Sequence, residues 1–185
     1  MAILRKELDI FPRDLLAGET PKGEGREWSV FYTKVRQEKS LARELLAREI
    51  PFYLPLIQRN HLYQGRKRSS YVPLFAGYVF LFATADERVT ALSTNRVARV
   101  IEVQDAEELF ADLRQIQLLI AANVPLTIES RIEPGRRIRV RDGALAGLEG
   151  VVQSRTKRTK LVVLINLLQQ GVSLEVEDFL LDPID

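Results

Sequence analysis

After Gly135 the chain stops offering helices. Up to about Asn123, apolar residues recur at helical spacing between short strand-like runs; beyond Arg131-Ile132-Glu133-Pro134-Gly135 only strand signals remain. Those later runs are Arg136-Arg137-Ile138-Arg139-Val140, Gly150-Val151-Val152-Gln153, Leu161 to Ile165 and Val172 to Val176, with turn residues between them. A change of period this sharp marks a change of domain. Fifty or so residues of closely spaced strands hide their edges most readily by closing on themselves, so a small all-β barrel is expected.

The earlier part predicts a different architecture. Trp28-Ser29-Val30-Phe31-Tyr32-Thr33 opens a strand, and Gln37 to Ile50 carries Leu41, Ala42, Leu45, Leu46 and Ile50 on one helical face, with Glu44 four residues before Arg48. Pro51 ends that helix. Phe52 to Gln58 is extended, with Pro55 arguing for an edge position; Gln64-Gly65-Arg66-Lys67-Arg68 reads as a hairpin tip, and Tyr78 to Phe82 as a strand buried on both faces. A short helix from Asp86 to about Thr94, a strand from Val97 to Val103 and a helix to about Asn123 complete the set. The last helix starts at Asp105 and Glu108, which have capping-box spacing, and its stripe is Leu109, Leu113, Ile116 and Ile120. The order β-α-β-β-α-β-α is that of an α+β sandwich, an antiparallel sheet with covering helices. The expected boundaries are an extension at 1–26, with room for one short packed segment, an α+β domain at 27–123, a linker at 124–133 and the barrel at 134–185.

Composition removes most chemistry. The 185 residues are 46% hydrophobic, enough for packed cores. There is no cysteine, hence no disulfide, thiolate metal site or thiol nucleophile, and the single histidine, His61, sits in the polar stretch Gln58-Arg59-Asn60-His61. A surface or packing role suits it better than catalysis. No phosphate-loop or dinucleotide fingerprint occurs. The acid pair Glu107 and Glu108 stands at a helix start, where the dipole accounts for it. The expectation is a protein without catalytic residues, metal or cofactor. No run is long and apolar enough to cross a bilayer, and the first nine residues, with Glu7 and Asp9, lack the apolar stretch of a secretory signal, so a cytoplasmic location is expected; a monomer is expected as well.

The net charge is only +2, but it is unevenly spread. Ile50 to Ala85 contains no acid and holds Arg59, Arg66, Lys67 and Arg68; Val151 to Ser173 likewise has no acid and holds Arg155, Lys157, Arg158 and Lys160. Two basic loops point to a polyanionic neighbour; hairpin tips that merely stay solvated are the competing reading.

Between the first two barrel strands stands Val140-Arg141-Asp142-Gly143-Ala144-Leu145-Ala146-Gly147-Leu148-Glu149-Gly150-Val151-Val152. Its glycines allow the positive φ angles and close backbone approach that a sharp turn needs. The stretch resembles the KOW motif, with Asp142, Gly143, Gly147 and Gly150 as its marks. Together with Trp28 to Arg36 ahead of a helix and Pro73-Leu74-Phe75-Ala76-Gly77-Tyr78-Val79-Phe80 after a basic hairpin, it makes residues 28–182 similar to NusG-type transcription elongation factors, an NGN domain joined to a KOW domain of SH3-like barrel fold. The family commonly has Pro-Gly-Tyr where Ala76-Gly77-Tyr78 stands. Pro73-Leu74-Phe75 is closer to RfaH, the operon-specific relative, and implies a specialised paralogue.

The resemblance implies a non-enzymatic bacterial adaptor that modulates pausing, antitermination or termination. It implies that Tyr32, Phe75, Tyr78 and Phe80 contact the clamp helices of RNA polymerase, that Lys34, Arg36, Arg66, Lys67 and Arg68 face DNA near the transcription bubble, and that Leu167 and Leu168 engage Rho or a small-subunit ribosomal protein. Leu168-Gln169 stands where the family usually carries Phe-Gly, which alters that contact. Two consecutive leucines cannot both enter a small core from a regular strand, so one of them is expected at the surface unless a bulge intervenes. A KOW-containing RNA-binding or ribosome-associated protein is the alternative: it needs the rings to be core and the basic loop at Arg155 to Lys160 to bind.

Overall fold

The computed structural model describes residues 6–21, 25–63, 66–129, 135–155, 158–176 and 181–184; within these, the side chains of 61–63, 66–68, 128–129, 153–155, 158–159, 176 and 181 are not described. The chain forms two compact units, Met1–Ala106 and Glu107–Asp185.

The first unit contains strands β1 (Ile10–Phe11), β2 (Glu27–Thr33), β3 (Phe52–Tyr53), β4 (Leu56–Tyr63), β5 (Arg66–Pro73), β6 (Tyr78–Ala83) and β7 (Val97–Glu102), with helices α1 (Glu38–Ala47) and α2 (Ala85–Ser93). Five strands make an antiparallel sheet in the order β1-β3-β6-β2-β7, and β4 with β5 forms a separate two-stranded ribbon. One sheet face is sealed by the helices: Phe31, Val79, Leu81 and Ala83 pack with Leu41, Ala42 and Leu45 of α1 and Ala91 of α2. These are the positions the helical stripe selects. Strand alternation sends Trp28, Val30 and Tyr32 of β2, and Tyr78, Phe80 and Phe82 of β6, to the opposite face.

The extension contributes more than a leader. Its β1 pairs with β3, and Leu15 and Leu16 are buried behind it. Helix α2 begins with a capping box: the Thr84 hydroxyl accepts the Glu87 amide at 3.2 Å, and the Glu87 carboxylate accepts the Thr84 amide at 2.8 Å. The basic hairpin differs from expectation. Arg66, Lys67 and Arg68 belong to β5, opposite Tyr63, Leu62 and His61, rather than to the turn, because pairing continues to the last described residue on each side. Gln64 and Gly65 lie outside the described residues. Pro55 falls between β3 and β4, where its missing N–H costs no ladder bond.

In the second unit, helix α3 (Ala106–Ala121, its first residue on the boundary) precedes a six-stranded antiparallel sheet. The strands are β8 (Thr127–Glu129), β9 (Arg136–Val140), β10 (Glu149–Arg155), β11 (Arg158–Ile165), β12 (Gln170–Val176) and β13 (Leu181–Pro183), in the order β13-β9-β10-β11-β12-β8. The boundary between the compact units falls at 106/107, ahead of this helix, which the sequence reading groups with residues 27–123. Polar contacts accompany this: α3 meets the start of β10 through Gln115 and the turn at Asn166 through Asp112 and Glu108. Part of the expected linker is also strand, since Thr127–Glu129 pairs with β12.

The glycine turn behaves as its sequence requires. Gly143 and Gly147 both have φ +86, and Asp142 accepts the Gly143 amide at 2.7 Å. At Gly150 a Cβ would lie 2.5 Å from the Val162 carbonyl, so only glycine lets β10 approach β11 this closely. Leu148 is buried beneath the turn.

Candidate functional site

The sheet face turned away from the helices opens at one end. Along β2 and β6 its rows run from Trp28 beside Phe82 (ring centroids 5.4 Å apart), through Val30 opposite Phe80, to Tyr32 opposite Tyr78. The first two rows are buried; only the third reaches solvent, with both tyrosines half-buried. Their rings stand 5.1 Å apart at 59°. On the neighbouring strand β7, Arg99 pairs with Tyr32 and places its guanidinium carbon 5.0 Å from the centre of that ring. Tyr78, Tyr32 and Arg99 therefore form one row across three strands.

Two of the four rings read from the sequence stand elsewhere. Phe80 is 0% and Phe75 1% exposed, so both are core residues and neither displays a ring. Phe80 lies opposite Val30 on one side and Tyr53 on the other, in the middle of the sheet, where neighbours close over it. It stands one row in from Tyr32 and Tyr78.

The tyrosine row rests on a constrained loop. Gly77 has φ +89, and a Cβ there would lie 2.7 Å from Tyr32 Cε2, so the ring lies directly on the glycine backbone. The Gly77 amide donates to the buried Glu38 carboxylate at 2.7 Å, and the Gly77 carbonyl accepts the Thr33 amide at 2.7 Å. Glu38 and Arg99 are functional candidates that sequence reasoning misses. For Glu38 a signal existed: an acid at 38 shares the helical face of Leu41, Ala42 and Leu45, where a carboxylate needs a buried donor.

Beyond the row, the loop from β2 to α1 carries the predicted cations. Lys34, Val35 and Arg36 are exposed, Val35 at 87%, and Arg36 turns the chain with φ +59. The loop is fastened to the start of β7: the Lys34 amide donates to the Arg96 carbonyl (2.8 Å), Lys34 Nζ to Asn95 Oδ1 (2.6 Å), and Arg96 Nη1 to Gln37 Oε1 (2.7 Å). The structure brings Lys34 and Arg36 to the end of the tyrosine row. The side chains of Arg66, Lys67 and Arg68 lie outside the described residues.

The other sheet face offers an open groove of about 690 Å³ between α2 and β7. Exposed Val89, Leu92 and Val100 line it with Glu27, Arg88 and Glu102.

In the second unit, Leu167 and Leu168 form a 3-10 turn (Asn166–Leu168) closed by Gln169 in the left-handed conformation, φ +50. Both leucines are half-buried, so neither is the fully exposed anchor expected from a regular strand; the tight turn lets both tuck in part-way. The turn is held by α3: Asp112 Oδ2 accepts the Asn166 amide at 2.8 Å, and Glu108 Oε1 accepts Asn166 Nδ2 at 3.0 Å. Burial pushes the Asp112 carboxyl up to about 6; the Asn166 amide opposes this, and the neighbouring Glu108 charge adds to it.

Among the described residues, no group of three or more His, Asp or Glu side chains is placed to hold a metal, and no helix is long and apolar enough to cross a membrane. What the first unit presents is an aromatic row flanked by cations, an arrangement suited to binding a surface.

Residues 26–118 match the family model for NusG, described as transcription termination factor nusG. Among solved structures, the chain is similar to NusG of Thermotoga maritima, from work on its domain interaction (17% identity, covering 86% of this chain and 98% of that one, TM-score 0.45). It is also similar to a chain of the MjSpt4:Spt5 complex in conformation B (14% identity, 85% and 97% covered, TM-score 0.29). No match was found among curated protein sequences.

Proposed function

The chain belongs to the NusG family of non-enzymatic transcription factors, and from that premise we propose that it docks on RNA polymerase through the row of Tyr32 and Tyr78. The observation that carries this reading is the contrast along one sheet face: two rows of the aromatic ladder are sealed, and the third is half open, with Arg99 on it and Lys34 and Arg36 on the loop that follows Tyr32. Aromatic side chains bury large areas at small rotamer cost, and a few of them dominate most protein interfaces. The partner surface is the tip of the polymerase clamp helices. Phe75 and Phe80 act beneath it as support.

Lys34 and Arg36, fixed beside the row by their loop contacts, lie against upstream or non-template DNA by charge attraction that tolerates any sequence and weakens with salt. Bound across the polymerase cleft, the factor stabilises the closed, elongating state and shifts the enzyme out of pauses without a reaction of its own. Residues 134–185 form a KOW domain that recruits Rho or a small-subunit ribosomal protein through the Leu167-Leu168 turn. The Ala76-Gly77-Tyr78 variation supports a specialised, RfaH-like paralogue.

The test is binding of purified core RNA polymerase to the immobilised protein. The double variant Tyr32→Ala, Tyr78→Ala should keep its far-ultraviolet spectrum and melting temperature within a few degrees and lose polymerase binding. Undiminished binding by the folded variant removes the proposal. A transcription assay on a template with pauses and a Rho-dependent terminator then separates antitermination from termination.

A further inference from the structure

We infer that Arg99 is a specificity determinant of the docking face, and that the partner presents a carboxylate side chain directly beside the surface that covers Tyr32 and Tyr78. The inference rests on the docking reading above and names the chemistry of the other side.

Three observations lead to it. First, Arg99 lies in the row itself, not at the basic loop: its guanidinium carbon is 5.0 Å from the Tyr32 ring centre, and Tyr32 stands 5.1 Å from Tyr78. A cation over an aromatic face is held there by the ring quadrupole, so the side chain is fixed before a partner arrives. Second, among the described residues no carboxylate lies within 4.0 Å of the exposed Arg99, a state it shares with Arg13, Arg36, Arg59 and Arg136 but not with Arg43, Arg48, Arg139 and Arg141. Third, the surrounding acids are committed or turned away. Glu38 is buried on Gly77, Glu44 pairs with Arg48 and Arg96, and Glu102, three residues along β7, points to the opposite face by strand alternation.

With the Arg99 guanidinium carbon 5.0 Å from the ring centre, its N–H edge is what a carboxylate would meet. That edge offers parallel donors at the spacing of a carboxylate, the geometry of a bidentate pair. A phosphate has the same reach. A protein acid is the occupant the placement favours, because Arg99 stands in the ring row itself, which a nucleic-acid backbone does not cover, whereas Lys34 and Arg36 lie on the loop beyond it. Covering the rings by a partner also desolvates the adjacent charge, which raises the penalty for leaving it unpaired.

The experiment measures affinity for purified core RNA polymerase at low and high salt, for wild type, Arg99→Gln, Arg99→Glu and the Tyr32→Ala, Tyr78→Ala variant. Arg99 is exposed, so its variants should melt with wild type. Arg99→Glu should weaken polymerase binding by about tenfold or more and Arg99→Gln by less, and the Arg99→Gln affinity should depend less on salt. Reversing one acidic residue on the clamp-helix tips to lysine should restore binding to Arg99→Glu. If both Arg99 variants bind like wild type while the tyrosine variant does not, the carboxylate inference is overturned and the docking reading stands. If Arg99→Glu loses affinity only for free forked DNA, the partner is phosphate and the inference is overturned. If the tyrosine variant also binds normally, both fall.

Discussion

The buried carboxylate of Glu38 accepts the amide of Gly77 at 2.7 Å, joining the first residue of α1 to the loop that enters Tyr78. A helix that otherwise serves the core thereby positions a side chain on the far face of the sheet. Glu38→Ala leaves a buried N–H unsatisfied and should cost about 1 to 3 kcal/mol, whereas Glu38→Gln keeps an acceptor oxygen and should recover most of that. Urea denaturation of the two variants against wild type checks the order; equal losses would mean that the hydrogen bond is not what matters at this position.

Gly77 supplies the second constraint on the same loop. A side chain there meets strain from φ +89 and a ring atom at 2.7 Å. Gly77→Ala should destabilise by about 1 to 3 kcal/mol and push Tyr32 off its seat. A reduced midpoint with altered Tyr32 ring resonances is the expected pair of results.

The ladder of rings should divide by row. Phe80→Ala, at 0% exposure, should cost about 3 to 5 kcal/mol by opening a cavity. Tyr78→Ala, half-buried at the open end, should cost markedly less stability and more polymerase affinity. Melting curves and binding isotherms on the same preparations separate the two effects.

Glu87 links the α2 cap to the residue just ahead of β2: Arg26 donates to it at 2.6 and 3.0 Å, and these bonds hold its carboxyl below the usual range. A lowered carboxylate pKa contributes stability above the unfolded value that is lost as pH falls through the folded one. Glu87→Gln should therefore narrow the difference in stability between neutral and acidic solution, and Thr84→Ala should cost about 1 kcal/mol through loss of the cap. Thermal melts of both variants across the acid range test this.

Asp112 has the opposite sign. Its carboxyl, raised to about 6 in the folded chain against 3.8 ordinarily, holds a proton between those values that the unfolded chain releases. Folding takes up that proton, so the second unit should be more stable near pH 5 than its other charges dictate and should lose this contribution as pH rises through about 6. Asp112→Asn keeps an oxygen for the Asn166 amide, removes the buried charge and should flatten the profile. Hydrogen exchange at Asn166 as a function of pH reads it directly.

Much of this was legible in the residues. The stripe of α1, the strand of Tyr78 to Phe82 and the glycine turn at 142–150 follow from period and backbone demands that are local. What escaped was non-local. Which rings of the ladder lie open depends on what closes over each row, and alternation alone cannot say that Phe80 is sealed while Tyr78 is half open. Helix α3 announced itself by its stripe but not its allegiance, because Glu108, Asp112 and Gln115 look like an ordinary solvated face until Asn166 and Glu149 are brought against them. Arg99 was one cation among many until Tyr32 stood beneath it.

The β4–β5 ribbon pairs only within itself among the described residues, over eight residues a side, a span of about 26 Å. Its base is clamped by buried Leu56 and Leu74 and by the Leu74 amide on the Pro55 carbonyl at 2.8 Å. From there the chain runs through Phe75 directly into Gly77 and Tyr78. The ribbon and the ring row are thus joined through residues 74–77, so a substitution in that short stretch would reach both at once.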